Sequence, residues 1–187
     1  MVVIVVSGMP VCGSSTAAKK LARKLNLKYF SLGKEFKKHS KGKETHRAIN
    51  TFKTKKGASK VFHKHLDAKQ RRLAKKGNIV IDSKLGIYML QDVADHKIWL
   101  KASKSAIARR VAKRERLSLK NAAKLMEQRN RIERSNFRRI YGFDTFSQEK
   151  MADLVIDTSK RTPQQTINKI LEYIKNKDKG SSSRYDS

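Results

Sequence analysis

Short, uninterrupted apolar runs alternate along the chain with longer segments in which apolar residues recur every three to four positions. The first run, MVVIVV over 1–6, is almost wholly β-branched, the pattern of a strand buried on both faces of a parallel sheet. After SGMPVCG comes SSTAAKKLARKLN at 14–26. There Ala17, Leu21, Ala22 and Leu25 share one helical stripe, and Lys19, Lys20, Arg23 and Lys24 lie off it. KYFSL at 28–32 reads as a second strand, GNIVIDS at 77–83 as a third, HKIWLKA at 96–102 as a fourth and ADLVIDTS at 152–159 as a fifth. The intervening helices are a short one near 34–41, a stronger one over 59–76 that Gly77 closes, and a long basic helical stretch over 103–142. A last helix spans 162–177, with Thr162 as its N-cap and Pro163 at its first position. Residues 41–59 carry glycines near both ends and little apolar periodicity, which predicts a mobile segment. The polar residues 178–187 read as a disordered tail.

Strands alternating with helices predict one α/β domain over 1–177, built on a five-stranded, mostly parallel sheet flanked by helices. Ligands of such sheets bind beyond the carboxyl ends of the strands. The loops at 7–14, 33–38 and 82–86 are therefore expected to converge on one cleft.

Charge changes the picture next. Lys and Arg number 45 against 16 Asp and Glu, a formal net charge of +29. Self-repulsion of that size points to polyanionic company: nucleotides, RNA or acidic membrane surfaces. The single cysteine, Cys12, allows no intrachain disulfide and fits a reducing compartment. The opening apolar run is too short to span a membrane and has no basic leader, so the chain reads as cytoplasmic, with no membrane partner. His63 and His65 are two apart and share no helical face, and no Cys/His/carboxylate cluster has metal-ligand spacing.

The most specific chemistry lies between the first strand and the first helix. Gly8 and Gly13 stand at the spacing of the phosphate-loop signature G-x-x-x-x-G-K-[ST], with Ser14 in the lysine position and Ser15 in that of the metal-ligating hydroxyl. A glycine turn whose N–H groups align with a helix N-terminus binds phosphate through the backbone, so Gly8, Met9, Pro10, Val11, Cys12, Gly13, Ser14, Ser15 and Thr16 are the candidate nucleotide-binding residues. Cys12 is read as loop packing. A serine at position 14 donates a hydrogen bond but supplies no positive charge to the phosphates.

With these pieces in order, the chain resembles the archaeal-type cytidylate kinases, a branch of the nucleoside monophosphate kinases of P-loop fold. SGMPVCGSSTAAKKLA, YFSLGKEFK, LAKKGNIVIDSKL, ADHKIWLKA, RRVAKRE, FRRIYGFD and ADLVIDTSKRTPQQ carry the resemblance over about residues 1–175. Archaeal members often have Gly-Thr-Thr-Thr at the end of the loop, and GSST at 13–16 looks like a variant of it. The resemblance implies a monomeric enzyme that uses ATP and Mg²⁺ to convert CMP or dCMP to the diphosphate. It also implies a helical monophosphate-binding insertion over 33–76 and a lid over 109–139. By the same resemblance Ser15 and Asp82 serve the metal, Lys84, Arg110 and Arg114 the transferred phosphoryl group, and Lys37, Asp67, Gln70 and Lys84 the acceptor.

Several positions depart from the family pattern. Val11 replaces a loop glycine, Lys34 stands where a small polar or acidic residue is common, Lys84 replaces an arginine, and Asn136 stands where a lid arginine begins the run before YG. Together with the +29 charge, these departures carry an alternative. In it the chain is a kinase-derived protein of weak or no activity that binds ribosomal or other structured RNA through a basic surface.

Overall fold

The computed structural model describes residues 1–38 and 40–182. Its strands are β1 (Val3–Gly8), β2 (Lys28–Ser31), β3 (Ile79–Asp82), β4 (His96–Lys101) and β5 (Leu154–Asp157). They form one five-stranded sheet in the order β2-β3-β1-β4-β5. Every pairing is parallel, so the expected mostly parallel sheet is parallel throughout. The helices are α1 (Ser14–Lys24), α2 (Leu32–Phe36), α3 (Glu44–Lys53), α4 (Lys60–Lys75), α5 (Gly86–Met89), α6 (Lys104–Glu115), α7 (Leu119–Tyr141) and α8 (Pro163–Ser182), with a 3-10 helix over Thr145–Met151.

The apolar runs are continuous because both faces of the sheet are covered. Ile4, Val6, Val80, Ile98, Leu100 and Ile156 face α1, α6, the start of α7 and α8. Val3, Val5, Ile79, Ile81 and Trp99 face the opposite way, onto Ala74 of α4 and Ile87 of α5. β1 lies between β3 and β4, so the loops leaving the carboxyl ends of these strands open at one edge.

The sequence reading differs from the structure in four places. Residues 44–53 of the segment expected to be mobile form α3, which buries Thr45, Ala48, Ile49, Thr51 and Phe52. Its apolar stripe is too short to announce itself, and most of its stability comes from packing, chiefly against α7. The short helix near 34–41 is confined to Leu32–Phe36, and His39 lies outside the described residues. The long basic stretch divides where Arg116 takes a left-handed conformation (φ 56°). Ser118 then caps α7 by accepting the Asn121 N–H at 3.2 Å. Finally α8 continues through 178–182, half of the expected tail, and 183–187 lie outside the described residues. The start of α8 is as expected. Thr162 Oγ1 accepts the Gln165 N–H, and Gln165 Oε1 accepts the Thr162 N–H, a reciprocal cap before Pro163.

Candidate active site

The loop between β1 and α1 is shaped at two glycines for different reasons. At Gly8 a Cβ would stand 2.3 Å from the Leu100 carbonyl oxygen and 2.7 Å from Cys12 Sγ, so only glycine lets β1 run this close to β4. Gly13 has φ 100°, a conformation side chains rarely adopt, and the space beyond it is empty to 4 Å. The turn closes through the Cys12 N–H on the Met9 carbonyl (3.3 Å), and α1 begins with the Ala17 N–H on the Gly13 carbonyl (2.9 Å). The N–H groups of Ser14, Ser15 and Thr16 fall in the first helical turn, which leaves them no intrahelical acceptor, at the positive end of the helix dipole. Val11 is held at φ 63°, an uncommon state for a β-branched residue. Arg110 Nη1 braces it through the Val11 carbonyl (3.3 Å) and through Thr158 Oγ1 (3.1 Å). Thr158 in turn donates to the Cys12 carbonyl (2.8 Å). Cys12 itself is buried in the core, which pushes its thiol pKa up.

A second wall comes from the end of β3. Asp82 Oδ2 accepts from Ser31 Oγ (2.8 Å) and Tyr29 hydroxyl (3.3 Å) on β2, which fix that carboxylate oxygen. Ser83 Oγ is buried on the cleft wall without a hydrogen-bond partner among the described residues. Lys84 Nζ donates to the Gly8 carbonyl at 3.2 Å and lies 3.4 Å from Glu133 Oε2 of α7. Glu133 Oε1 accepts from Arg129 Nε at 2.7 Å. Burial opposes ionisation of Glu133, but the Arg129 and Lys84 charges outweigh it and bring its pKa down to about 2. Burial lowers the pKa of Lys84, against the pull of the same carboxylate.

The third wall is aromatic. The rings of Phe36 and Phe52 lie 4.6 Å apart, Phe52 and Phe137 5.4 Å, and His63 and Tyr141 5.9 Å. His63 is buried with Nε2 donating to the Gly57 carbonyl (2.9 Å), and burial lowers its pKa. Beside the rings Asp67 accepts from the Tyr141 hydroxyl (2.6 Å) and from Gln70 Nε2 (3.0 Å), and burial raises its pKa. Lys37 pairs with Glu44 at 2.6 Å. The Lys37 carbonyl accepts from Arg47, whose Nε is buried without a partner among the described residues.

These walls enclose a cleft of about 890 Å³. Gly8 to Thr16, Lys34, Lys37, Asp67, Asp82, Lys84, Arg110 and Arg114 all line it, so most of the expected residues come together. Two positions weighed in the sequence do not. Gln70 is fully buried away from the cleft wall and holds Asp67. Asn136 bonds back to the Ile132 carbonyl of its own helix (3.0 Å) and accepts from Arg139, so the departure there does not face the site. Arg138 pairs with Asp144, and Arg139 reaches the Ala58 carbonyl. The α7 cation that enters the cleft is Arg129, which the sequence reading missed along with Glu133, His63 and Arg47. One signal was available: residues 129, 133, 137 and 141 share a helical stripe that ends in Phe and Tyr, which points inward.

Residues 3–160 match the cytidylate kinase-like family. The chain belongs to that family. Among curated relatives, it is 30% identical over 175 residues to a cytidylate kinase of Methanopyrus kandleri, covering 89% of each sequence. It is 35% identical over 173 residues to one of Sulfurisphaera tokodaii, with 91% of this chain and 93% of that sequence covered. A third, from Pyrococcus horikoshii, is 34% identical over 162 residues, covering 87% and 82%. Solved shikimate kinases share the fold. That of Aquifex aeolicus superposes with a TM-score of 0.57 at 20% identity, covering 95% of this chain and 99% of its own. That of Bacteroides thetaiotaomicron gives 0.63 at 16%, covering 93% and 98%.

Proposed function

We propose that the protein transfers the γ-phosphoryl group of ATP to CMP or dCMP. The observation that carries this reading is one continuous cleft with an open, backbone-lined anion cradle at Gly13 and an aromatic recess with a carboxylate at Asp67. The first suits a nucleotide's phosphates and the second a planar, hydrogen-bonding base. The 33–76 segment and residues 109–139 of α6–α7 are the acceptor-binding and lid elements in this reading.

Mg²⁺ fits the donor set. Among the described residues no three His, Cys, Asp or Glu side chains converge to hold a metal by themselves. Magnesium is commonly held by few protein oxygens together with substrate phosphates. Ser15 Oγ and, through water, Asp82 would hold it, and it would neutralise charge on the phosphates. The chain's own residues do the rest. Backbone N–H groups of 13–16 orient the donor phosphates. Arg110, fixed by Thr158 and Val11, presents a cation without further reorganisation. Lys37, Arg47 and Arg114 line the side from which the acceptor phosphate approaches. In the transfer, an oxygen of the acceptor monophosphate bonds to the γ-phosphorus as the bridging bond breaks, and that bond pair leaves with ADP.

Incubation of the purified protein with ATP, Mg²⁺ and CMP should yield CDP and ADP, with UMP and AMP poorer acceptors. No turnover above background across nucleotides and divalent metals would refute the reading. A second reading, binding of structured RNA, is favoured by the outer faces of α1 and α6. Lys19, Lys20, Arg23, Lys24, Lys104, Arg109 and Lys113 are exposed there, and none enters an ion pair among the described residues.

A further inference from the structure

We infer that Lys84 supplies the positive charge missing from position 14 of the phosphate loop, and that Glu133 is its internal counter-ion, displaced when nucleotide phosphate enters. This rests on the proposed reading that the Gly8–Thr16 loop cradles ATP. The sheet order makes the relocation possible. β3 lies directly beside β1, with Asp82 in register with Val6, so the residue two past Asp82 emerges next to the loop that follows β1. From there Lys84 Nζ reaches the Gly8 carbonyl at 3.2 Å, on the first residue of the loop. Inside the same turn, burial raises the Cys12 thiol pKa and the Lys84 charge opposes that rise. No side chain of the loop itself is cationic.

The other cation at the loop, Arg110, is fixed by Thr158 and the Val11 carbonyl, so it presents its charge at one place and does not follow the phosphates. Lys84 is held by the Gly8 carbonyl and by one carboxylate that lies between it and Arg129, at 3.4 Å and 2.7 Å. Glu133 is buried on the cleft wall, where an anion bridging two cations occupies the electrostatic position that a phosphate would take. A lysine is suited to such relocation, because its compact ammonium on a flexible stem follows charge without needing a planar fork. An arginine at 84 would favour a bidentate grip on one phosphate, which suits the acceptor role that the family resemblance suggests for this position beside its role at the transferred phosphoryl group.

The two roles separate by experiment. For wild-type protein, ADP alone and CMP alone should each raise the melting temperature. In Lys84→Met the ADP-induced shift should fall by more than half with the CMP-induced shift retained, and kcat should drop about 10²-fold or more. Adding Ser14→Lys to Lys84→Met should recover at least tenfold in kcat. In Glu133→Gln, removal of the competing carboxylate should tighten ADP binding severalfold by calorimetry. The inference is overturned if Lys84→Met loses the CMP shift and keeps the ADP shift, if Ser14→Lys restores nothing, or if Glu133→Gln binds ADP no tighter than wild type. Absence of any nucleotide-induced shift in the wild-type protein is a different result. It would refute the proposed function itself, and this inference with it.

Discussion

At the scale of single residues, the two loop glycines are required for separable reasons, and substitutions should separate them. A methyl group at Gly8 meets backbone of β4, so Gly8→Ala should destabilise the fold by about 1–3 kcal/mol, seen as a lower urea midpoint. Gly13 faces open space, so Gly13→Val should fold with a backbone strain of about 1–3 kcal/mol and lose the ADP-induced rise in melting temperature. A Gly13→Val protein that kept the full ADP shift would place the phosphates elsewhere. Glu133 makes a pH prediction. Its pKa falls from an ordinary 4.5 to about 2 on folding, so its contribution is fully present above about pH 4.5 and is lost as pH falls toward 2. Acid unfolding of the wild type should therefore be steeper over that window than that of Glu133→Gln. Parallel acid limbs would contradict the charge cluster.

At the scale of elements, α3 is the part of the fold that depends most on a distant partner. Among the described residues, its N-terminus has no side-chain cap from its own segment. Glu115, the last residue of α6 and fully buried, does that work: Oε1 accepts the Thr45 N–H at 3.0 Å and Oε2 meets His46 Nδ1 at 3.3 Å. Lys43 reaches the Glu115 carbonyl, and Arg114 donates to Thr45 Oγ1 at 2.6 Å. Four hydrogen bonds among five residues thus hook the 33–76 segment to α6. Glu115→Ala would leave the buried Thr45 N–H unpaired, at a cost of about 1–3 kcal/mol. Hydrogen exchange should then quicken across 44–53 while the amides of β1 and β3 keep their protection. Uniform acceleration through the sheet would show that the hook supports the whole domain and not α3 alone.

Charge belongs to the scale of the whole molecule. The acidic side chains are largely spent on local pairs, such as Glu35 with Lys69, Asp92 with Arg71 and Asp144 with Arg138, which leaves the +29 excess spread over outer helix faces. Lys120, Lys124 and Arg131 are exposed on α7, and none of them lines the main cleft. If the second reading holds, structured RNA should bind with a steep salt dependence. Reversing these three to Glu should weaken binding evenly across RNA sequences and reduce the log–log salt slope by about 1 for each phosphate contact removed. The ADP-induced stabilisation should stay as it was. RNA affinity no greater than that of a charge-matched control protein would end that reading.

The sheet, the glycine turn between β1 and α1 and the start of α8 were legible in the chain itself, because each is governed by near neighbours. VVIVV can be continuous only if both faces of its strand are covered. Gly8 and Gly13 mark a turn, and Thr162 with Gln165 closes a cap within four residues. Other features rested on partners far along the chain. Residues 44–53 look like a polar loop until α7 and Glu115 stabilise them as a helix. Arg129 and Glu133 lie on a stripe that points inward, but that Lys84 receives the carboxylate across the cleft is visible only once the elements have assembled. Asn136, conspicuous as a departure from the family, turns back onto its own helix. Lys84 meets Gly8 only because β3 lies against β1, and the two residues are 76 positions apart. Local periodicity determines which segments become strands and helices. Whether a charge is buried, and beside which backbone, is decided by the order in which those elements assemble.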